Sequence, residues 1–214
     1  MKKKADRKMT AIEKAVREAF DSDTLADVKI YLGDVELPAH SLVLTAQSSY
    51  FKRALVGEMQ EGKTRKFEYS EGSMHAYWRV FEYMYKGTYS EEPCIKLTEL
   101  DDDELSKEVR VYQLADYFEV DGLKREALRR FTTKTIELWA TEAFVDCIRD
   151  VYQSTSNKKC KMREAVVDIV NQHVPKLWEE PPFRDLVREG GDFPVDLMSR
   201  LVWAYDKSIR LGAV

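Results

Sequence analysis

One stretch of sequence, residues 27–51, constrains the fold of this chain more than any other. Apolar side chains occupy alternate positions over 28–32, and a period of two places them on one face of a β-strand. Residues 33–34, Gly-Asp, follow as a tight turn, and the alternation resumes over 35–37. The sequence therefore predicts a β-hairpin with one buried face.

The pattern changes after this hairpin. Pro38 is expected to end the second strand, because proline has no N–H group to give to a strand ladder. From His40 onward the apolar spacing becomes helical. Ser48 or Ser49 is a suitable N-cap for a second short helix that begins near Tyr50. A hairpin followed directly by two short helices is therefore predicted.

These residues resemble the signature of BTB/POZ domains. The matching positions are Asp27, which stands where the family has a strand-opening aspartate, the tetrapeptide Leu37-Pro38-Ala39-His40, the apolar run Leu42-Val43-Leu44, and Ser48, Tyr50 and Phe51. The sequence departs from the family pattern at Ser41 and Gln47, where basic residues are more frequent. The resemblance implies an α+β fold in which helices cover a small mixed sheet.

The resemblance continues to about residue 131. Tyr83–Tyr89, Leu114–Phe118 and Gly122–Lys124 match later helices of the family. We therefore divide the chain into a basic tail and amphipathic helix over 1–26, a BTB/POZ domain over 27–131, and an all-helical extension over 132–214. The extension is loosely similar to the BACK-like helices that follow BTB/POZ domains in many proteins.

An amphipathic helix is predicted ahead of the first strand. Thr10 is a suitable N-cap, and Ile12, Val16 and Phe20 recur every four residues on one side of an otherwise charged helix. Such a stripe has to be covered. In the resembled family this helix packs on a second copy of the domain, which makes the three residues a candidate homodimer interface; the alternative is that they fold back on their own chain.

Composition and charge narrow the class of protein. Hydrophobic content of 44% and charged content of 34% are typical of globular proteins, and a net charge of −4 argues against a nucleic-acid partner. Apolar runs are too short for a membrane span, and Lys2–Lys4 precede no apolar signal segment. Cys94, Cys147 and Cys160 are widely spaced, which favours a reduced environment in the cytoplasm, the nucleus or both.

Further along, Ser73 is predicted to cap a helix that ends at Gly87. Its aromatic stripe is interpreted as core packing. Ile95 and Leu97 are candidates for a short edge strand. The acidic run over 99–104 could bind a divalent metal or a basic partner, but its acids are consecutive, and we favour a solvated loop before a helix.

The sequence offers little for catalysis. It contains no nucleotide-binding, serine-hydrolase or zinc-protease motif. His40 is interpreted as structural, His75 as solvated in a first helical turn, and His173 as lying just before a helix-ending Pro175. We therefore expect no enzyme activity, no cofactor and no metal site.

Binding is the better hypothesis. Met59-Gln60-Glu61 resembles the hydrophobic-x-Glu motif with which BTB/POZ adaptors of ubiquitin ligases dock on a cullin scaffold, and Tyr85 would lie nearby in the family. An apolar anchor fills a pocket while a carboxylate fixes its register. The alternatives are that Met59 covers the edge of its own loop, or that the domain is a self-associating scaffold or transcriptional regulator without a cullin.

Overall fold

The computed structural model describes residues 9–57, 60–155 and 160–212. These residues divide into two compact units. The N-terminal unit takes the described residues up to Asp101 together with Leu114–Lys124. The C-terminal unit takes Asp102–Gln113 together with the described residues from Arg125 onward. Two long helices, α6 (Glu104–Tyr117) and α7 (Asp121–Leu138), therefore contribute residues to both units.

The predicted hairpin is present in the N-terminal unit. Strand β1 (Val28–Leu32) pairs antiparallel with β2 (Val35–Ala39), and Gly33 has a φ of +57°, which suits glycine in the turn. A third strand, β3 (Lys66–Tyr69), pairs with β1 in parallel, so the sheet order is β2-β1-β3. Apolar residues on one face of β1 are buried. The mixed sheet confirms that part of the predicted fold class.

Pro38 does not end β2, contrary to the expectation from sequence. The strand continues through Ala39, and Pro38 stands opposite Lys29. The Lys29 N–H points the other way and donates to the Arg65 carbonyl at 2.9 Å. Since β2 is an edge strand and this pair needs no N–H from residue 38, proline is tolerated inside it.

Short helices and one long helix complete the N-terminal unit. They are α1 (Ala11–Glu18), α2 (Ser41–Gln47), α3 (Ser49–Val56), α4 (Gln60–Thr64) and α5 (Met74–Lys86). Ser48 caps α3 by accepting the Phe51 N–H, and Ser73 caps α5, as predicted. Phe118 lies at the centre of the core, where its ring stacks on Phe51 at 5.2 Å.

The C-terminal unit is helical throughout its described part. After α7 come α8 (Glu142–Ser154), α9 (Lys161–Leu177), α10 (Pro181–Glu189) and α11 (Asp192–Gly212). Its core is built from apolar stripes of these helices, including the fully buried Phe131, Phe144 and Phe183. A helical extension after the sheet-containing part was predicted and is confirmed.

Two local predictions are wrong. Residues 95–97 form no strand; Ile95 is almost fully exposed while Leu97 is buried. Pro175 does not end its helix, because α9 continues to Leu177. Short apolar pairs and isolated prolines are weak local signals, and tertiary packing overrides them here.

Candidate protein-binding surfaces

The junction between β2 and α2 is held by a carboxylate. Asp27 accepts hydrogen bonds from the Ser41 N–H at 2.7 Å and the Ser41 hydroxyl at 2.6 Å, and Arg65 lies 3.2 Å away. Partial burial alone would raise the pKa of Asp27, but these donors outweigh it and leave the pKa lowered. Asp27 therefore fixes the first turn of α2, where Ser41 replaces the basic residue usual in the family.

His40 joins three parts of the N-terminal unit. Its Nε2 lies 3.0 Å from the Thr24 carbonyl, which can only accept, so Nε2 carries the proton. Its Nδ1 then accepts from the Tyr85 hydroxyl at 3.0 Å, and the same hydroxyl accepts the His40 N–H at 2.8 Å. Burial raises the pKa of Tyr85 to about 12. Both side chains are occupied by structural hydrogen bonds.

An aromatic cluster anchors the segment that follows α1. The Phe20 ring packs edge-on against Trp78, with the ring centres 5.1 Å apart, and lies tilted against Tyr85 at 5.6 Å. The Lys86 ammonium lies 4.7 Å from the centre of the Phe20 ring. Phe20, which lies just beyond the end of α1, therefore packs on α5 of its own chain. Part of the predicted stripe is covered from within, the alternative left open by the sequence.

The other end of the same stripe faces solvent. Thr10 and Glu13 form a capping box that starts α1, as the N-cap prediction requires. Ile12 is 76% exposed and Val16 is half-buried. Phe20 holds the chain after the C-terminal end of α1 against α5, whereas the apolar side of the N-terminal end of α1 is exposed to solvent. This exposed side offers an apolar surface. The homodimer interface assigned to Ile12, Val16 and Phe20 stays a prediction.

A second surface follows the outer face of α3. Arg53 and Glu119 form a bidentate ion pair, with Nη1–Oε2 and Nη2–Oε1 distances of 2.9 and 2.5 Å. The hydrogen bond from Arg53 lowers the pKa of Glu119. Nearby, the hydroxyls of Tyr50 and Tyr117 lie 3.3 Å apart. Val56, at the end of α3, is 78% exposed. We call these five residues the α3 surface.

The α3 surface leads into the predicted cullin motif. Met59 lies outside the described residues, and the described part of Glu61 is its backbone in α4. Tyr85 is 4% exposed and lies under the α1 segment with Phe20. Tyr85 therefore supports the segment that follows α1 from beneath and is itself almost fully buried. The cullin-contact role of these three residues stays a prediction.

Helix α5 holds the loop that follows it with buried polar groups. His75, predicted to be solvated, is 2% exposed: its Nε2 donates to the Glu99 carbonyl and its Nδ1 accepts the Cys94 N–H. Arg79 donates to Asp101, and Glu82 accepts the Ser90 N–H at 2.8 Å. The expectation for His75 is wrong, because sequence spacing gave no sign that a distant loop covers this face.

The acidic run supplies structural carboxylates. Asp101 pairs with Arg79, Asp102 lies 2.9 Å from Arg110, and Asp103 accepts the Leu105 and Ser106 N–H groups at the start of α6. Burial alone would raise the pKa of Asp103, but its N–H and hydroxyl donors leave it lowered. Among the described residues, no three side chains of metal-binding type lie close enough to hold an ion.

Two of the three cysteines lie in the core. All three are free thiols, and Cys147 and Cys160 are buried. Burial raises the pKa of Cys147, which disfavours the thiolate that a nucleophile needs. Within the described ranges, no helix is both long and apolar enough to cross a bilayer.

Comparison with known proteins fits this fold. The model of the BTB/POZ domain family matches residues 16–135, more than half of the chain, from within α1 to within α7. The chain therefore belongs to the BTB/POZ family. The resemblance of residues 27–51 to the family signature predicted both this membership and the fold. Family membership supports a role as a protein-interaction module.

Among curated proteins, the chain is similar to members of the kelch group. It is 23% identical to mouse Kelch repeat and BTB domain-containing protein 4 over 78% of this chain and 28% of that protein. It is 35% identical to human Kelch-like protein 3 over 34% of this chain and 12% of that protein. The corresponding values for Kelch-like protein 40 of Xenopus tropicalis are 22%, 52% and 17%. The chain thus spans between 12% and 28% of the length of these relatives.

Proposed function

We propose that this chain is a substrate adaptor that links a cullin-type ubiquitin ligase to a target protein. The observation that carries the proposal is the place of Met59-Gln60-Glu61 in the sequence order of the fold. The motif begins within three residues of the end of α3, runs into α4 and precedes β3. This is where the resembled adaptors carry their cullin-docking motif.

The α3 surface supports this reading. Val56 adds an exposed apolar group directly before the motif, and Tyr117 adds a half-exposed ring. Arg53 and Glu119 satisfy each other, so they surround the apolar groups as a polar rim without leaving an unpaired charge. An apolar centre with a paired polar rim is the usual composition of a docking surface.

The experiment measures binding of the purified chain to the N-terminal region of a cullin by isothermal titration calorimetry. We expect Met59→Asp to weaken binding about 30-fold or more, the effect of losing a hot-spot residue. Glu61→Lys should weaken it through the reversed charge. Leu25→Asp and Glu71→Lys are matched controls, since both positions are exposed and lie outside the α3 surface.

Two results would remove the adaptor proposal. One is a parent chain that gives no binding heat at concentrations where BTB adaptors bind. The other is a complex that Met59→Asp and Glu61→Lys weaken no more than the two controls do. Thermal melting of each variant separates loss of binding from loss of folding.

A second candidate function is a self-associating scaffold, such as a transcriptional regulator, without cullin binding. The exposure of Ile12 on an otherwise well-capped α1 favours it. Light scattering should report a lower mass for Val16→Glu than for the parent, because a carboxylate would enter the apolar contact. Lys14→Glu, on the opposite side of α1, is the control. Equal masses for all three proteins would exclude α1 as a contact.

Both candidates describe a protein without catalysis that acts in the cytoplasm, the nucleus or both. The structural engagement of His40 and His75 and the burial of Cys147 support this reading. His173 is also engaged, since its ring stacks on Trp139 with the centres 3.8 Å apart. Neither candidate involves nucleic acid or a membrane.

A further inference from the structure

Helix α11 is apolar on two sides. Phe193 and Leu197 are buried on the side that packs within the C-terminal unit, where α11 lies on α9. A second apolar stripe follows the other side of the helix. A helix at the surface of a unit needs one apolar face to be held there, so the second face calls for a further explanation.

The second stripe is exposed along its whole length. Its five residues are Val195, Met198, Val202, Tyr205 and Ile209, which are 63%, 60%, 60%, 69% and 51% exposed, respectively. Pro194 and Ser199 join the first three of them in lining a shallow surface groove. Single exposed apolar residues are common on protein surfaces, but a continuous stripe over four helical turns marks an interaction site.

The spacing of the stripe points to the kind of partner. Its members are separated by three, four, three and four residues, a mean period of 3.5. A period of 3.5 is the seam of a coiled coil, in which each side chain inserts between four residues of a facing helix. The partner is therefore a helix with the same repeat.

We propose that α11 pairs with α11 of a second copy of this chain as a short, parallel, two-stranded coiled coil. In heptad order, Val195, Val202 and Ile209 take the a positions, whereas Met198 and Tyr205 take the d positions. All three a residues are branched at Cβ and both d residues are not. This division favours parallel two-stranded pairing, because it matches how side chains pack in the two kinds of layer.

The positions beside the seam are compatible with this pairing. In a parallel dimer, residue g of one heptad faces residue e of the next heptad on the partner helix. Here Leu201 at g would face Asp206 at e, so no like charges meet. Lys207 lies at an exposed f position on the outer side. Two stripes together bury on the order of 1,000 Å², near the lower bound for a specific interface.

Self-association is measured by sedimentation velocity over a range of protein concentrations. The measurement uses the full chain with Val16→Glu, so that α1 does not contribute to the observed mass. Adding Val202→Glu puts two carboxylates opposite each other in one a layer, and we expect it to weaken association at least tenfold. Adding Lys207→Glu, which changes the charge more but lies outside the seam, should leave association unchanged.

Cross-linking tests the parallel register and covers the case in which Val202→Glu disturbs folding. In a Cys94→Ser background, Val202→Cys should form a disulfide-linked dimer under mild oxidation, because equivalent a residues are neighbours in a parallel pair. Lys207→Cys should form no disulfide-linked dimer under the same conditions, although it still associates without a covalent bond. The absence of a disulfide-linked dimer for Val202→Cys, or equal cross-linking at both positions, overturns the proposal. So does an association constant that Val202→Glu and Lys207→Glu change equally.

Discussion

Each unit of this chain buries an arginine, and the two sites differ in how far the partner carboxylate is buried. Arg79 and Arg163 are 1% and 3% exposed. In both, the guanidinium donates to one carboxylate and to backbone carbonyls of a neighbouring segment. The side chain of Asp101, which pairs with Arg79, is 14% exposed, whereas that of Asp192, which pairs with Arg163, is 53% exposed.

The difference teaches that two similar ion pairs can have unequal consequences when one member is lost. A buried carboxylate without its cation cannot recover its hydration, so the full cost of desolvation falls on the fold. A half-exposed carboxylate can turn to water. Arg163 also lies 4.4 Å from the centre of the Tyr152 ring, so its contribution is divided between charge pairing and cation–π packing.

The largest effect should follow Arg79→Ala. This substitution removes the charge-assisted hydrogen bonds to Asp101, whose side chain is only 14% exposed, and the donors to the Ser90 and Glu91 carbonyls. We expect the free energy of unfolding to fall by about 3–5 kcal/mol. Urea unfolding measures it, with Arg53→Ala as the exposed control, whose loss should be much smaller. A loss no greater than that of the control would show that the buried pair adds nothing.

Arg163→Ala should cost less, about 2–3 kcal/mol of unfolding free energy. Asp192 can regain water, and the remaining loss comes from the Tyr152 ring and the hydrogen bonds to Tyr152 and Thr155. The same urea experiment compares the two arginine variants directly. If Arg163→Ala proves the more damaging of the two, partner burial is not what separates the sites.

Neutralising the partners isolates the charge from the packing. Asp101→Asn keeps the shape of the buried side chain but removes its charge, and we expect a loss of about 1–3 kcal/mol because a charge-assisted bond is weakened where it is buried. Asp192→Asn should cost under about 1 kcal/mol. Melting temperatures of the two variants at one pH provide the test, and equal shifts would contradict the comparison.

The smallest effect concerns an arginine cluster at the surface. Glu126 pairs with Arg129 and Arg130, and the hydrogen bond from Arg129 leads in lowering its pKa from 4.5 to about 2. A carboxyl whose pKa is lower in the folded chain stabilises the fold above its unfolded pKa. That stability is lost as the pH falls from about 4.5 towards 2.

Glu126→Gln should therefore reduce stability at pH 7 by about 0.5–1 kcal/mol, with the difference from the parent shrinking towards pH 2. Unfolding curves measured between pH 2 and 7 test this. Glu137→Gln, a substitution at an exposed position further along the same helix, is the control. A difference that stays constant with pH would mean that Glu126 acts through packing and not through its charge.

The sequence predicted those parts of the fold that are encoded by local patterns of apolar, turn and capping residues. Alternation over 28–32, the turn at Gly33, the caps at Ser48 and Ser73 and the helical extension were all found, since neighbouring residues encode them. The family signature followed from the same stretch. For the candidate site, the sequence located the motif at Met59 to Glu61 and the apolar stripe of α1, whose binding roles remain predictions.

The missed features depend on partners that are distant in the sequence. Nothing near His75 or Arg79 in the sequence indicates that the loop ending at Asp101 covers them, so the sequence predicts a solvated His75 and gives no role to Arg79. Pro38 was read as a strand end because the free side of an edge strand is visible only once the sheet order is known. The sequence places Phe20 on the apolar stripe of α1 but gives no sign of its ring partners on α5.

The parallel pairing of β3 with β1 has a consequence for how the chain acquires its structure. The hairpin joins neighbouring segments and can form within microseconds. β3 can join it only after residues 33–65 have closed a long loop, and such closure costs entropy before the contacts compensate for it. We therefore expect α2, α3 and α4 to collapse onto the hairpin before β3 docks, which makes the third strand a late step in folding.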